Sequence, residues 1–275
     1  MSATIIRKNY NRSNYSFANI NFQGPCNMNC FFCIGKEFDK IENNSLEVPP
    51  ENLPNLRSYL ELCKSNGIKK IYLTGQNTDP LMYKYLDELI DIVQEEFGLV
   101  AGLRTNGILA KEKIATINKC KGEISYTVLS LNSETLYRMT GARKVPDYAE
   151  ILRKTKSPKR VSTVLTRYNQ DELDTIVSLA AKAGAEYVQV RRISTDIRYD
   201  FLSDHIRAFD KKLADIKTEW EKVDEFELSP VYKSQGVNVS FWKTVETSVN
   251  SLNYFTDEVI SDNYFIVEGY LNKLG

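Results

Sequence analysis

Residues 17–36 read FANINFQGPCNMNCFFCIGK. The first seven, an alternating and apolar-rich run, predict a strand over 17–23 that delivers the following segment at its C-terminal end. That segment carries Cys26, Cys30 and Cys33 in the spacing C-x3-C-x2-C. Three thiolates this close can share one cubane iron–sulfur cluster and leave its fourth iron open, whereas four-cysteine ferredoxin clusters are closed electron carriers. An open iron is a place for chemistry on a bound ligand. A structural zinc site would want a fourth Cys or His nearby. The single histidine is His205, and Cys63 and Cys120 lie far along the chain in unrelated surroundings. A disulfide framework would need an extracellular context, which nothing else in the chain supports. Another metal remains the alternative reading of the triplet.

Outward from this loop, short apolar runs alternate with amphipathic stretches, the sign of βαβ units and a parallel sheet. Further strands are expected at 69–74, 99–105, 124–131, 160–166 and 186–191, with helices at about 51–66, 81–97, 110–119, 145–155 and 170–183. The right-handed crossover rule curls such repeats into a barrel. The fold class expected is α/β, a partial (β/α)6 TIM-like barrel with a C-terminal helix and strand extension. Residues 1–200 form the core, and 201–275 form an extension that closes the barrel within the same domain. That extension holds a long helix at about 203–222 and strands at 237–242 and 263–270.

The 275 residues are long enough for a full core, and the formal net charge is zero, which argues against a nucleic-acid footprint. The N-terminus has no apolar segment of the secretory kind, and no run reaches the length of a membrane span. A cytoplasmic protein in a reducing compartment, with no nucleic-acid or membrane partner, is the expectation.

In a barrel of this kind chemistry gathers at the C-terminal strand ends. The second strand ends in Thr74-Gly75-Gln76-Asn77-Thr78-Asp79-Pro80-Leu81, the third in Leu103-Arg104-Thr105-Asn106-Gly107, and the fourth in Leu129-Ser130-Leu131-Asn132-Ser133, followed by ETLYRMTGAR ending at Arg143. Together with the cysteine triplet and the aromatic Phe32 before its last member, these segments resemble the radical S-adenosylmethionine (SAM) superfamily in order and spacing over residues 17 to about 195. The likeness is to the branch holding the molybdenum-cofactor GTP cyclase and the peptide maturases. The closing stretch 263–271 is faintly similar to the tail of viperin. The usual Gly-Gly-Glu-Pro motif is replaced here by TGQNTDPL, with Asp79-Pro80 in place of Glu-Pro.

The resemblance implies a [4Fe-4S] cluster on Cys26, Cys30 and Cys33, with SAM on its fourth iron. It implies SAM contacts from Phe32, Gly75, Asn77, Asp79, Thr105, Asn106, Ser130, Asn132 and Arg143, with Asn77 and Asp79 at the ammonium, Ser130 and Asn132 at the ribose and carboxylate, and Arg143 at the carboxylate. It further implies an external electron donor of the flavodoxin or ferredoxin type and reductive cleavage of SAM to a 5′-deoxyadenosyl radical. No cysteine follows Cys120, so auxiliary clusters of the maturase kind are not expected. The substrate expected is a small molecule such as a nucleotide, sugar or amino-acid derivative. A peptide maturase or epimerase is the second reading, and a non-catalytic metal- or cluster-binding protein the third. Cys63, Cys120, Tyr232, Tyr254 and Tyr264 are unranked hydrogen donors, and His205 is expected on the surface.

Overall fold

The computed structural model describes residues 15–37, 43–195, 198–226, 229–243 and 251–261. Six strands, β1 (Phe17–Phe22), β2 (Lys70–Gly75), β3 (Val100–Thr105), β4 (Ile124–Thr127), β5 (Lys159–Val164) and β6 (Tyr187–Arg191), lie side by side in chain order, all parallel. The connecting helices are α1 (Leu56–Ser65), α2 (Leu86–Asp91, continued by a π turn over Ile92–Glu96), α3 (Ile114–Ile117), α4 (Ser133–Thr140), α5 (Tyr148–Lys154) and α6 (Leu173–Lys182). Local chemistry sets their ends. Asn132 caps α4 by accepting from the Glu134 and Thr135 amides at 2.9 and 3.1 Å, Gly141 ends it in the left-handed region, and Asp147 caps α5 through the Glu150 amide.

The C-terminal segment widens the sheet at both edges. After β6 comes α7 (Tyr199–Glu219), then the hairpin β7 (Glu221–Phe226) and β8 (Ser229–Ser234), and β9 (Val237–Trp242), which pairs parallel with β6. β10 (Ser251–Phe255) pairs parallel with β1, and β11 (Ile260–Ser261) turns back on it. The order is therefore β11-β10-β1-β2-β3-β4-β5-β6-β9-β8-β7, a partial barrel whose described ends do not meet. The strand expected at 237–242 is β9. Strands β7, β8, β10 and β11 were not anticipated, α7 starts and ends a few residues earlier than 203–222, and the strand expected at 263–270 lies outside the described residues. No helix among the described residues is long and apolar enough to cross a membrane.

Side chains alternate across each strand. Ala18, Ile20, Ile71, Leu73, Ala101, Leu103, Val161, Val188, Val190, Val239 and Leu252 face the helices and belong to the main apolar core. The opposite, inner face is polar: Asn19, Asn253, Ser125, Ser162, Gln189 and Ser240 occupy it, joined by the register Asn253↔Asn19, Ser162↔Gln189 and Gln189↔Ser240. Its N-terminal end is plugged. Arg160 pairs with Glu123 at 3.1 Å, and the Tyr72 hydroxyl donates to the same carboxylate. Tyr187 accepts from Arg160, and the Arg104 guanidinium lies 4.3 Å from the Tyr72 ring centre. Access to the inner face is thus from the C-terminal strand ends.

Candidate active site

The loop after β1 closes one local turn, the Cys33 amide donating to the Cys30 carbonyl at 3.2 Å, before the short 3-10 turn Ile34–Glu37. Two helices fix it from outside. The last turn of α4 leaves carbonyls without helical partners, and those of Thr140 and Met139 accept the Asn29 and Phe31 amides at 2.7 and 3.1 Å. From the start of α7, the Arg198 guanidinium donates to the Phe31 and Cys33 carbonyls at 2.9 and 2.8 Å. Phe32 is buried in a second apolar cluster with Met28, Leu129, Leu136 and Met139, which anchors the loop on its inner side.

The β2 and β3 ends meet the same loop. Gly75 is obligatory: a Cβ there would stand 1.8 Å from the Thr78 carbonyl oxygen. Gly35 lets the cysteine loop close on the β2 loop, because its Cβ would fall 2.9 Å from that of Asn77. The Asn77 Oδ1 accepts the Gly24 amide at 3.1 Å. Asp79 is buried and turned toward β3. It accepts the Leu81 amide at 2.9 Å, the Asn106 amide at 2.6 Å and the Thr105 hydroxyl at 2.9 Å. Burial still outweighs those donors and pushes its carboxyl up to about 6. The Asn106 Nδ2 donates to Asn27 Oδ1 at 2.7 Å and lies 4.0 Å from the Cys26 sulfur. Asn27 Nδ2, next to Cys26, is buried with no hydrogen-bond partner among the described residues.

At the β4 end, the Ser130 hydroxyl donates to Glu172 at 2.8 Å, and the same carboxylate takes the Leu131 amide at 2.8 Å. The Tyr148 hydroxyl reaches the Asn106 carbonyl at 2.9 Å and the Thr127 carbonyl at 3.3 Å, bridging the β3 and β4 ends.

Residues 20–184 match the model of the radical SAM superfamily. The chain belongs to the radical SAM superfamily. Two curated relatives, both described as probable GTP 3',8-cyclases, come from Sulfurisphaera tokodaii (22% identical over 58% of this chain and 50% of its own length) and Methanococcus aeolicus (31% over 44% and 40%). The chain thus spans half or less of the curated relatives it matches. Among solved structures, Streptococcus suis SuiB bound to SAM is similar with a TM-score of 0.65 at 15% identity over 91% of this chain and 60% of SuiB. SuiB bound to its precursor peptide SuiA gives 0.64 over 94% of this chain. At these identities SuiB shares the fold.

Superfamily members use a [4Fe-4S] cluster and SAM, and the residues present fit both. All three loop cysteines are free thiols. Three thiols on one loop suit a cluster whose irons each take one thiolate. Burial pushes the Cys26 and Cys30 thiols up to about 11 and about 12, so positive charge from bound iron is what would hold them as thiolates. The orphan Asn27 Nδ2 leaves one donor for a ligand oxygen or sulfur.

The expected site residues fall into three groups. Asn77, Asp79, Thr105 and Asn106 form one network with Cys26 and Asn27, with Gly75 at its turn. Ser130 and Asn132 form a second with Glu172, and the Asn132 side chain serves as the α4 cap. Arg143 stands exposed past α4, making no ion pair among the described residues. Glu172 and Arg198 were missed by sequence reasoning. His205, expected on the surface, is 7% exposed and packs on Phe31 with ring centres 4.5 Å apart. Its place in the series Leu202, His205, Ile206, Phe209 on the buried face of α7 was the available signal. Cys63, Cys120, Tyr232 and Tyr254 are buried in the helix-side core, off the polar inner face, and Tyr264 lies outside the described residues.

Proposed function

We propose that this chain cleaves SAM reductively and uses the resulting radical on a small polar molecule held against the inner face of the barrel. When bound, the cluster and SAM supply a 5′-deoxyadenosyl radical that takes a hydrogen atom from a substrate C–H bond. The chain's own residues then position and exclude water. Cys26, Cys30 and Cys33 hold the cluster. Asn106, Asn77 and Asn27 face SAM beside Cys26, while Asp79, Thr105 and Gly75 set the shape of their loops. Phe32 seats the cysteine loop, Ser130 and Asn132 set the β4 end, and Arg143 pairs with the SAM carboxylate.

The observation carrying the substrate reading is the polarity of the inner face. Parallel strands covered on both faces are ordinarily apolar on both. Here Asn19 Oδ1 and Ser162 Oγ are buried on that face with no partner among the described residues. Such groups cost about 1–3 kcal/mol each unless something bonds to them, and a ligand rich in hydroxyl, amide or phosphate groups would do so. The second reading, a peptide substrate, draws on the likeness to peptide-bound SuiB.

The test is anaerobic reconstitution with iron and sulfide, then dithionite and SAM, with chromatography for 5′-deoxyadenosine. The wild type is expected to give it and Cys30→Ala to give none. A chain that loads a cluster yet neither binds nor cleaves SAM would overturn the proposal. Stimulation by short peptides but by no metabolite would replace the small-molecule reading with the peptide one.

A further inference from the structure

The geometry points to an aromatic subsite at the mouth of the barrel, built from Phe226 and Trp242, that holds a planar ring carried by the substrate. This rests on the reading above that the substrate lies against the inner face. β7 and β9 both run antiparallel to β8, so their last residues, Phe226 and Trp242, stand at the same end of the sheet as the cysteine loop. Trp242 shares the inner face with Ser240, two residues before it, and is in register with Arg191 at the end of β6. Phe226 reaches that face through a β-bulge. Glu221 and Lys222 stand opposite Lys233 and Tyr232, and an unbroken ladder would put Glu225 opposite Ser229 and turn Phe226 to the helix side. The extra residue between Lys222 and Asp224 shifts the register by one, so Phe226 itself pairs with Ser229. Ser229 and Val231 alternate with the core residue Tyr232, and the pair Val231↔Ser240 places them on the inner face. The bulge thus turns the Phe226 ring inward onto Trp242, with ring centres 5.7 Å and planes 19° apart, an offset stack.

The stack is not part of the core. Trp242 is 8% exposed, yet neither it nor Phe226 belongs to the two apolar clusters. Phe226 is 54% exposed, at the end of a strand that otherwise carries Glu221, Lys222, Val223, Asp224 and Glu225. Charge and a bulge are what protect a free sheet edge, and a half-exposed phenylalanine adds nothing to that protection. With Trp242 on one side, the exposed part of the ring offers a flat apolar surface at the rim of a polar face. One layer deeper, Gln189 and Ser240 stand in register and offer an amide and a hydroxyl. The pairing suits a small molecule in which a planar unsaturated ring is joined to a part rich in hydroxyl or amide groups. The ring stacks on Phe226 while the polar part descends toward Gln189, Ser240 and Ser162. A ringless polyol would satisfy the polar face and leave the Phe226 surface uncovered. Nucleosides and aromatic amino-acid derivatives both carry the required ring, and stacking alone accepts either.

The experiment titrates the cluster-free full chain by calorimetry with two ring-bearing probes, adenosine 5′-monophosphate and tryptophanamide, and with their ringless counterparts, ribose 5-phosphate and alaninamide. One ring-bearing probe is expected to bind at least tenfold more tightly than its counterpart, and which of the two does so separates the nucleoside from the amino-acid class. Phe226→Ala is expected to weaken that probe about tenfold and to leave the ringless ones unchanged. Phe226→Tyr keeps the flat ring and should keep the affinity, whereas Phe226→Leu keeps apolar bulk without a ring face and should lose most of it. Circular dichroism and urea unfolding check that each variant folds. Failure of both ring-bearing probes to bind would overturn the proposal. So would equal affinity in the wild type and Phe226→Ala, or a leucine variant that binds as tightly as the wild type. If the reconstituted chain proves unable to cleave SAM, the reading beneath has failed; the titration, which needs neither cluster nor SAM, then still decides whether Phe226 and Trp242 hold a ring.

Discussion

Asp79→Asn isolates the energetic role of the buried carboxylate at the β2 end. In the fold this group titrates at about 6, against an ordinary value of 3.8, because burial penalises its charge more than the Leu81, Asn106 and Thr105 donors favour it. A raised carboxyl binds its proton more tightly in the fold than in the unfolded chain. It therefore contributes stability that is fully present below pH 3.8 and is lost as pH rises through about 6. Between pH 4.5 and 7.5 the wild type should lose about 2 kcal/mol from this group alone. The asparagine does not titrate, and its clash with the Asn106 amide is a fixed offset at every pH. The assay is urea unfolding of the cluster-free chain by circular dichroism at pH 4.5, 6 and 7.5 and constant ionic strength. The quantity read is the change with pH of the difference between the two proteins, in which the other titrating groups cancel. Relative to the variant, the wild type should weaken by about 2 kcal/mol as pH rises. A flat difference would refute the argument. So would a difference of opposite sign, which would mean that the donors win and the carboxyl is depressed.

Two further substitutions probe the loops around the site. Gly75→Ala places a Cβ 1.8 Å from the Thr78 oxygen, so the β2 loop must move; a loss of about 3 kcal/mol or more in urea unfolding is expected, and a loss below about 1 would show the turn to be pliable. Arg198→Gln removes the fork on the Phe31 and Cys33 carbonyls, and alkylation of Cys33 in the cluster-free chain should quicken severalfold while buried Cys63 and Cys120 stay silent. An unchanged rate would mean that α4 alone holds the loop.

The six core strands were legible because their helix-facing positions are apolar and their ends carry turn residues, as in Ile71 and Leu73 before Gly75 or Ala101 and Leu103 before Asn106-Gly107. β9 was legible for the same reason, through Val237, Val239 and Phe241. β10 was not, although it runs beside β1, because its inward positions are Ser251 and Asn253 and a polar inner face breaks the apolar run that marks a buried parallel strand. β7 is exposed along its whole length and has no burial pattern to read. At the site, the cysteines and the strand-end motifs could be placed from spacing alone, but their partners could not. Arg198 meets the cysteine loop across 167 positions, and Glu172 meets Ser130 across 42. Such pairings are set by which strands end side by side, and no local period encodes them.

That long-range dependence bears on how the cysteine loop is held. The described backbone of residues 29–33 is pinned to outside elements by four bonds, two to the end of α4 and two from Arg198 at the head of α7. The ring of Phe31 is held on the α7 side by His205 and edge-on by Tyr168. The geometry of the three thiols is therefore completed only when the chain has passed β6 and α7 has docked. A substitution on α7 that leaves every cysteine in place should thus disturb the loop as directly as one within it. The loop's rigidity, set by those four bonds, fixes where a ligand held beside the three thiols would point.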